Sequence, residues 1–170
     1  MRGVAFALGS NLGDRREHLR AALDGLRAGG VVLERVSALY ETPPWGVEVQ
    51  PAFLNIAAWG RADLDARALL VLAKRIEAAQ GRDFSAQRWG PRPIDVDIAL
   101  IEGEVVDEPD LIVPHALLHV RSFVLVPLAE VAGGAMHARL GRTIAALRDA
   151  RPLEERREVQ RVAGAGWYAL

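Results

Sequence analysis

The stretch RWGPRPIDVDIAL, residues 88–100, carries the signal that orders the rest of the chain. From Ile94 it alternates apolar and acidic residues with a period of two, which predicts a strand over 94–101. Residues i and i+2 of a strand point the same way, about 6.6 Å apart. Asp95 and Asp97 are therefore aimed together, and Ile94, Val96, Ile98 and Leu100 are expected to pack behind them. Two carboxylates so close repel unless a cation lies between them. Magnesium suits such a pair, because it takes one or two protein carboxylates and completes its shell with water and substrate phosphates. Two such ions can clamp a polyphosphate for in-line displacement. A solvent-facing D-x-D on an edge strand is the alternative that so short a motif leaves open.

Outward from the strand, residues 82–93 form a polar connection rich in turn formers and long enough to suggest a working loop. Arg82, Arg88 and Arg92 cluster in it. Arginine stays charged and binds phosphate through two parallel donors. His115 and Arg121 stand in a later loop that could face the same site. A second group suits a flat heterocycle. Thr42, Pro43, Pro44 and Trp45 make a rigid turn, Phe53 and Asn55 point together from the next strand, and Phe123 follows Arg121. Asparagine offers a donor and an acceptor to a ring edge, and aromatic side chains suit its faces. Asn11 and Asn55 are the only asparagines.

The pattern around these groups is that of an α+β protein. GVAFAL (3–8) reads as a central strand, and Asp14 with Glu17 starts a helix through Leu19, Ala22, Leu23 and Leu26 that Gly29-Gly30 ends. VVLERVSALYET (31–42) and FLNIAAWGRA (53–62) read as strands. In the latter Phe53, Asn55, Ala57 and Trp59 share one face and Leu54, Ile56 and Ala58 the other. A helix spans 65–81, EGEVVDE is expected to turn back as a hairpin after the 94–101 strand, and the apolar run 111–132, broken by Pro114 and Pro127, ends helical. TIAALRDA is expected as a last short helix. The order β-α-β-β-α-β predicts a ferredoxin-like core, an antiparallel sheet with helices packed on it in three α/β/α layers.

Bulk properties fit this. A chain of 170 residues fits one domain, residues 1–170, with 51% apolar and 25% charged residues. A net charge of −1 gives no general field for nucleic acid or membrane. The chain has no cysteine, which excludes disulfides and thiolate chemistry and permits a cytoplasmic home. A monomer is expected. No G-x-x-x-x-G-K-[ST] loop or protein-kinase signature is present, so phosphate recognition falls to metal and arginine.

The segments ALGSNLGD, YETPPWG, PAFLNIA, RIEAAQGR, RWGPRPIDVDI and VPHALLHVRSFVLVPL occur in that order. Together, from about residue 4 to about residue 130, they resemble the 6-hydroxymethyl-7,8-dihydropterin pyrophosphokinases of folate biosynthesis. The resemblance implies transfer of the β,γ-pyrophosphoryl group of ATP to the hydroxymethyl group of the pterin, with release of AMP and with two magnesium ions. It implies that Asp95 and Asp97 hold the magnesium. It places Thr42, Pro43, Pro44, Trp45, Phe53, Asn55 and Phe123 on the pterin, with Phe123 stacking on the ring. It places Glu77, Arg88, Trp89, Arg92, Ile98, His115 and Arg121 on ATP, and has Arg82 and Arg92 close over the reacting phosphates. Gly9, Ser10 and Asn11 match a turn of structural role. Phe53 stands where the family usually has Tyr, Trp45 where an aliphatic residue is common, Phe84 where Arg is frequent, and Asp110 and Ala116 where Arg and Tyr often contact ATP; Ala99 is smaller than usual. Two rival readings stay open: a ligand-binding regulatory module, since fold does not determine function, and a magnesium-dependent phosphohydrolase.

Overall fold

The computed structural model describes residues 1–44, 49–83, 85 and 90–170. Five strands make the central sheet of the β-α-β-β-α-β unit: β1 (Arg2–Ser10), β2 (Val32–Val36), β3 (Leu39–Thr42), β4 (Phe53–Ala62) and β5 (Asp95–Ile101). Helix α1 (Arg15–Ala28) follows β1, and α2 (Ala66–Ala79) follows β4. β1 lies antiparallel between β4 and β5, and both β2 and β3 pair with β4. Every pairing is antiparallel, as the ferredoxin-like order requires.

Alternation along the strands divides the core in two. Val4, Phe6 and Leu8 of β1, with Leu54, Ile56 and Ala58 of β4, pack against α1 and α2 through Leu19, Leu23, Leu26, Leu69 and Ile76. Fully burying each such leucine contributes about 1.5–3 kcal/mol. The Asp14 side chain caps α1 by accepting the Glu17 N–H at 3.1 Å, as its spacing predicts. On the other face, Ala5, Ala57 and Ala99 meet α3 (Ser122–Ala132) through Leu125, Leu128 and Val131. Pro127 lies inside α3 instead of breaking it. The three layers are thus helix pair, sheet and α3. None of the described helices is long and apolar enough to cross a membrane.

Three local expectations need correction. Residues 31–42 form two strands, because Ser37 interrupts them: its Oγ accepts the Ala57 N–H at 2.9 Å and donates to the Ala38 carbonyl at 2.8 Å, taking the place of ladder partners. Leu100 does not pack behind the aspartates with Ile98. The register against β1 runs Phe6 to Ile98 and then Ala5 to Leu100, so Ala99 bulges out and Leu100 turns to the α3 side. Residues 106–108 do not pair with β5. They form β6 (Val106–Glu108), whose partner is β7 (Leu111–Val113) across Pro109-Asp110, since the chain has already turned at Gly103 with φ of 72°.

The chain also continues past the expected last helix. A short ribbon of β8 (Met136–His137) and β9 (Arg142–Thr143) leads into α4 (Ile144–Asp149), the helix read from TIAALRDA. Then come α5 (Leu153–Arg157) and β10 (Gln160–Ala163), which adds to the central sheet beside β3.

Candidate active site

The fold lays the two predicted groups along one face of the sheet. Gly9 of β1 is the register partner of Asn55 on β4 and of Asp95 on β5, and Ala7 is the partner of Asp97. Register partners in an antiparallel sheet point to the same face, and neighbouring strands are about 4.8 Å apart. Asn55 and Asp95 therefore face the same cleft across one strand, roughly 10 Å from each other. Gly9 keeps the floor between them open: a Cβ there would lie 2.6 Å from Asn55 Oδ1.

A cleft of about 760 Å³ opens above this floor. Thr42, Pro43, Phe53, Asn55 and Phe123 line it, as do Arg82, Arg92, Asp95, Asp97, Ile98, His115 and Arg121. The sequence thus brought together both groups it singled out. Pro44 lines a smaller adjoining cleft. Trp45, Arg88 and Trp89, with Phe84, lie outside the described residues.

At one end Asn55, 8% exposed, donates from Nδ2 to Thr42 Oγ1 at 2.6 Å. That bond leaves Oδ1 and the second amide proton for a ligand. The Arg92 guanidinium lies 5.5 Å from the centre of the Phe53 ring and that of Arg121 lies 5.6 Å from Phe123, so a cation stands against each aromatic wall.

At the other end Arg82 Nη1 donates to Asp95 Oδ1 at 2.6 Å and to the Ile94 carbonyl at 3.2 Å, and Arg92 Nη1 stands 3.8 Å from Asp95 Oδ2. Burial alone would raise the Asp95 pKa; Arg82 and Arg92 outweigh it and hold that carboxyl below its usual value. Asp97 makes no ion pair with an arginine among the described residues. Burial first, then the negative charges of Asp95 and Glu77, push its pKa up to about 8. His115 Nε2 is 3.9 Å from Asp97 Oδ2. Its Nδ1 accepts the Leu117 N–H at 3.3 Å, which leaves the proton on Nε2, and burial followed by Arg121 lowers its pKa and keeps the ring neutral.

What lies beneath the carboxylates differs from the sequence reading, which named Glu77 for ATP and gave Lys74 no role. Glu77 sits under the cleft wall instead of on it: its side chain is buried, and Oε1 accepts the Val96 N–H at 2.9 Å, between the two aspartates. Burial raises its pKa. Lys74, one turn earlier on α2 and the only lysine in the chain, lines the cleft 3.4 Å from Glu77 Oε2. That singularity was the one available signal. Asn11 is equally structural. Its Nδ2 donates to Gln50 Oε1 and the Pro51 carbonyl, both at 2.9 Å, and its Oδ1 accepts the Arg92 N–H at 2.8 Å. One asparagine thereby ties the end of the Arg-rich connection to the segment entering β4. Asp110 has a new partner: it forks onto Arg67 of α2 at 2.7 and 2.8 Å.

No group of three or more His, Cys, Asp or Glu suited to a metal occurs among the described residues. The donors that are present still fit magnesium. Asp95 and Asp97 supply the one or two carboxylates it takes, and the suppressed ionisation of Asp97 marks a place where positive charge is wanting. Arg92 Nε, buried and without a hydrogen-bond partner among the described residues, fits an anion beside it.

The family model for 7,8-dihydro-6-hydroxymethylpterin-pyrophosphokinase (HPPK) matches residues 5–133. The chain belongs to this family. It is 44% identical over 133 residues to the 2-amino-4-hydroxy-6-hydroxymethyldihydropteridine pyrophosphokinase of Bacillus subtilis, a match covering 77% of this chain and 79% of that one. The Methylorubrum extorquens enzyme of the same name is 45% identical over 128 residues, 75% of this chain and 80% of the relative. A mitochondrial folate synthesis bifunctional protein of Arabidopsis thaliana is 44% identical over 133 residues, and the chain spans 24% of its length. Among solved structures, Plasmodium falciparum HPPK-DHPS with STZ-DHP has a TM-score of 0.70 at 16% identity, over 87% of this chain and 43% of that one. That likeness bears on the fold alone. The HPPK match ends at Gly133, so β8, β9, α4, α5 and β10 all lie beyond it.

Proposed function

We propose that this HPPK cleft transfers the β,γ-pyrophosphoryl group of ATP to the hydroxymethyl group of 6-hydroxymethyl-7,8-dihydropterin, with two magnesium ions, and releases AMP. Pyrophosphoryl transfer to hydroxymethyldihydropterin in folate synthesis is the activity of the family. The observation that carries the finer reading is the register row Asn55–Gly9–Asp95, which sets a heterocycle-reading amide and a carboxylate pair on one floor.

In this reading Asn55 and Thr42 hold the polar edge of the pterin, and Phe53 and Phe123 hold its faces. Arg82, Arg92 and Arg121 bind the phosphates, with His115 donating from Nε2, and Arg88 and Trp89 are assigned to ATP with them. Ile98 lines the ATP side of the cleft from the strand face behind the aspartates, and Glu77 acts from below by holding Val96 between the two aspartates. Asp95 and Asp97 hold the magnesium, which neutralises phosphate charge when bound. Ion-pairing of Arg82 with Asp95 means that Arg82 has to leave that carboxylate before it can turn to phosphate. The hydroxymethyl oxygen forms its bond to the β-phosphorus and gives up its proton to solvent, the bond from that phosphorus to the α,β-bridging oxygen breaks, and AMP departs with the electron pair. Nothing covalent is asked of the protein; positioning and charge carry the rate.

The test is incubation with ATP, magnesium and the reduced hydroxymethyl pterin, followed by identification of the nucleotide product. AMP formed only with pterin supports the reading. Phosphate released without pterin would make the protein a hydrolase, and binding without turnover a regulatory module. The same reading treats residues 1–170 as one catalytic unit, a cytoplasmic monomer that binds neither nucleic acid nor membrane. Light scattering after size exclusion tests the monomer, and cell fractionation tests the compartment.

A further inference from the structure

The segment after the HPPK match returns to the cleft. Strand β10 pairs with β3, with Gln160 opposite Glu41 and Arg161 opposite Tyr40, so it braces the strand whose last residue, Thr42, holds Asn55. Just before β10, Val159 packs in one buried cluster with Ala38 and Tyr40, and Phe123 and Val126 lean on that cluster. The tail therefore touches both proposed walls of the pterin pocket.

A polar link joins the same two parts. Arg121, Ser122 and Phe123 are consecutive at the start of α3, and the first and third line the main cleft while Ser122 does not. Ser122, 6% exposed, faces the smaller cleft of about 230 Å³ on the far side of that wall, with Glu155 and Glu158 of the tail opposite. Its Oγ donates to Glu155 Oε2 at 3.1 Å. Glu155 is itself held: Arg151 donates Nη2 to Oε1 at 3.0 Å and to Oε2 at 2.7 Å, and Nε to Oε2 at 3.2 Å. A carboxylate at the start of α3, where Arg121 is the N-cap residue, also sits where the helix dipole favours it. A buried hydroxyl needs a partner, and here the partner comes from a segment outside the HPPK match.

We propose that Glu155 is a positioning residue for the pterin: through Ser122 it sets the first turn of α3, and with it the Phe123 ring that forms one wall of the pocket. It touches no substrate. The proposal rests on the pterin reading of Asn55 and Phe123 given above.

The test compares the full-length parent with Glu155→Ala, Glu155→Gln, Ser122→Ala and the Ser122→Ala/Glu155→Ala double variant. For each, the KM values for pterin and magnesium-ATP, kcat and Tm are measured, and pterin binding is titrated with a non-hydrolysable ATP analogue present. Losing a hydrogen bond to a charged acceptor should raise the pterin KM about tenfold. In Glu155→Ala, KM for magnesium-ATP should rise clearly less than KM for pterin, since Arg121 is the one phosphate-side residue beside Ser122, whereas Arg82, Arg92 and His115 stand on other segments. Ser122→Ala should give a similar rise, and the double variant no more than either single one, because both break the same link. Glu155→Gln keeps an acceptor oxygen and should bind pterin nearly as the parent does. Parent-like pterin binding in either alanine variant would overturn the proposal, as would an equal rise in both KM values, which marks general loosening. If Glu155→Ala does not fold, Ser122→Ala decides alone. A parent that fails to bind pterin overturns the functional reading itself; a parent that binds it while all variants bind equally overturns only the role of Glu155.

Discussion

Asp97 keeps its proton to about pH 8 in the metal-free protein, because burial and the charges of Asp95 and Glu77 oppose its ionisation. In the unfolded chain an aspartate ionises near pH 4, so between about pH 4 and about pH 8 the folded state binds one more proton than the unfolded state. This contribution is fully present below about pH 4 and is lost as pH rises towards 8. Asp97→Asn stays neutral throughout. In the presence of a chelator its Tm should therefore gain on that of the parent across the window and level off above it. Magnesium should offset the parent's loss, and Asp97→Asn should lose most of its turnover. At the other end of the floor, Asn55→Ala should weaken pterin binding by about 1–3 kcal/mol, the cost of a buried partner left unpaired, with little change for ATP; titration of each ligand checks this. Asp95 and Asp97 were legible because a strand alternates whatever surrounds it. The seat of Glu77 beneath Val96, with Lys74 beside it, was not, because nothing in a helix's own spacing says which strand its side chains will meet.

Among elements, the connection from α2 to β5 matters most. Arg82 leaves the end of α2 and returns to β5, its guanidinium held by Asp95 and close to Glu77. Arg82→Ala should lower kcat more than it weakens binding of either substrate, the mark of an interaction made mainly in the transition state. The ion pair adds a second, opposite effect. Removing a cation that competes for Asp95 should tighten magnesium binding in the absence of nucleotide, and calorimetric titration with magnesium alone measures it. If magnesium bound more weakly instead, the Arg82–Asp95 pair would not be competing with metal. The strand reading of 94–101 stood except where Ala99 bulges and sends Leu100 to the other face. A bulge adds one residue between paired strands, and pairing is invisible in the pattern of one strand alone.

For the whole molecule, the tail is a structural clasp as well as a brace behind the walls of the site. Trp167 is 7% exposed, donates Nε1 to the Ser37 carbonyl at 2.9 Å and packs against Tyr168, whose hydroxyl donates to Asp24 at 2.7 Å. These contacts pin the end of the chain to α1 and to the break between β2 and β3. Trp167→Ala should cost about 3–5 kcal/mol, as large buried aromatic truncations do, and chemical denaturation reads it directly. Glu155→Gln should leave that stability near the parent's, which separates clasp from pocket.

Local physics, then, was settled by the sequence: where strands alternate, where Asp14 starts a helix, that Asp95 and Asp97 aim one way, and that Asn55 and Phe53 share a face. Each depends only on backbone geometry within a few residues. The row Asn55–Gly9–Asp95, the burial of Glu77 beneath Val96, the hold of Arg82 on Asp95 and the return of β10 to β3 were decided by tertiary structure. Register, charge state and hydrogen-bond partner belong to pairs of segments far apart in the chain. They exist only once those segments meet and water has been excluded between them.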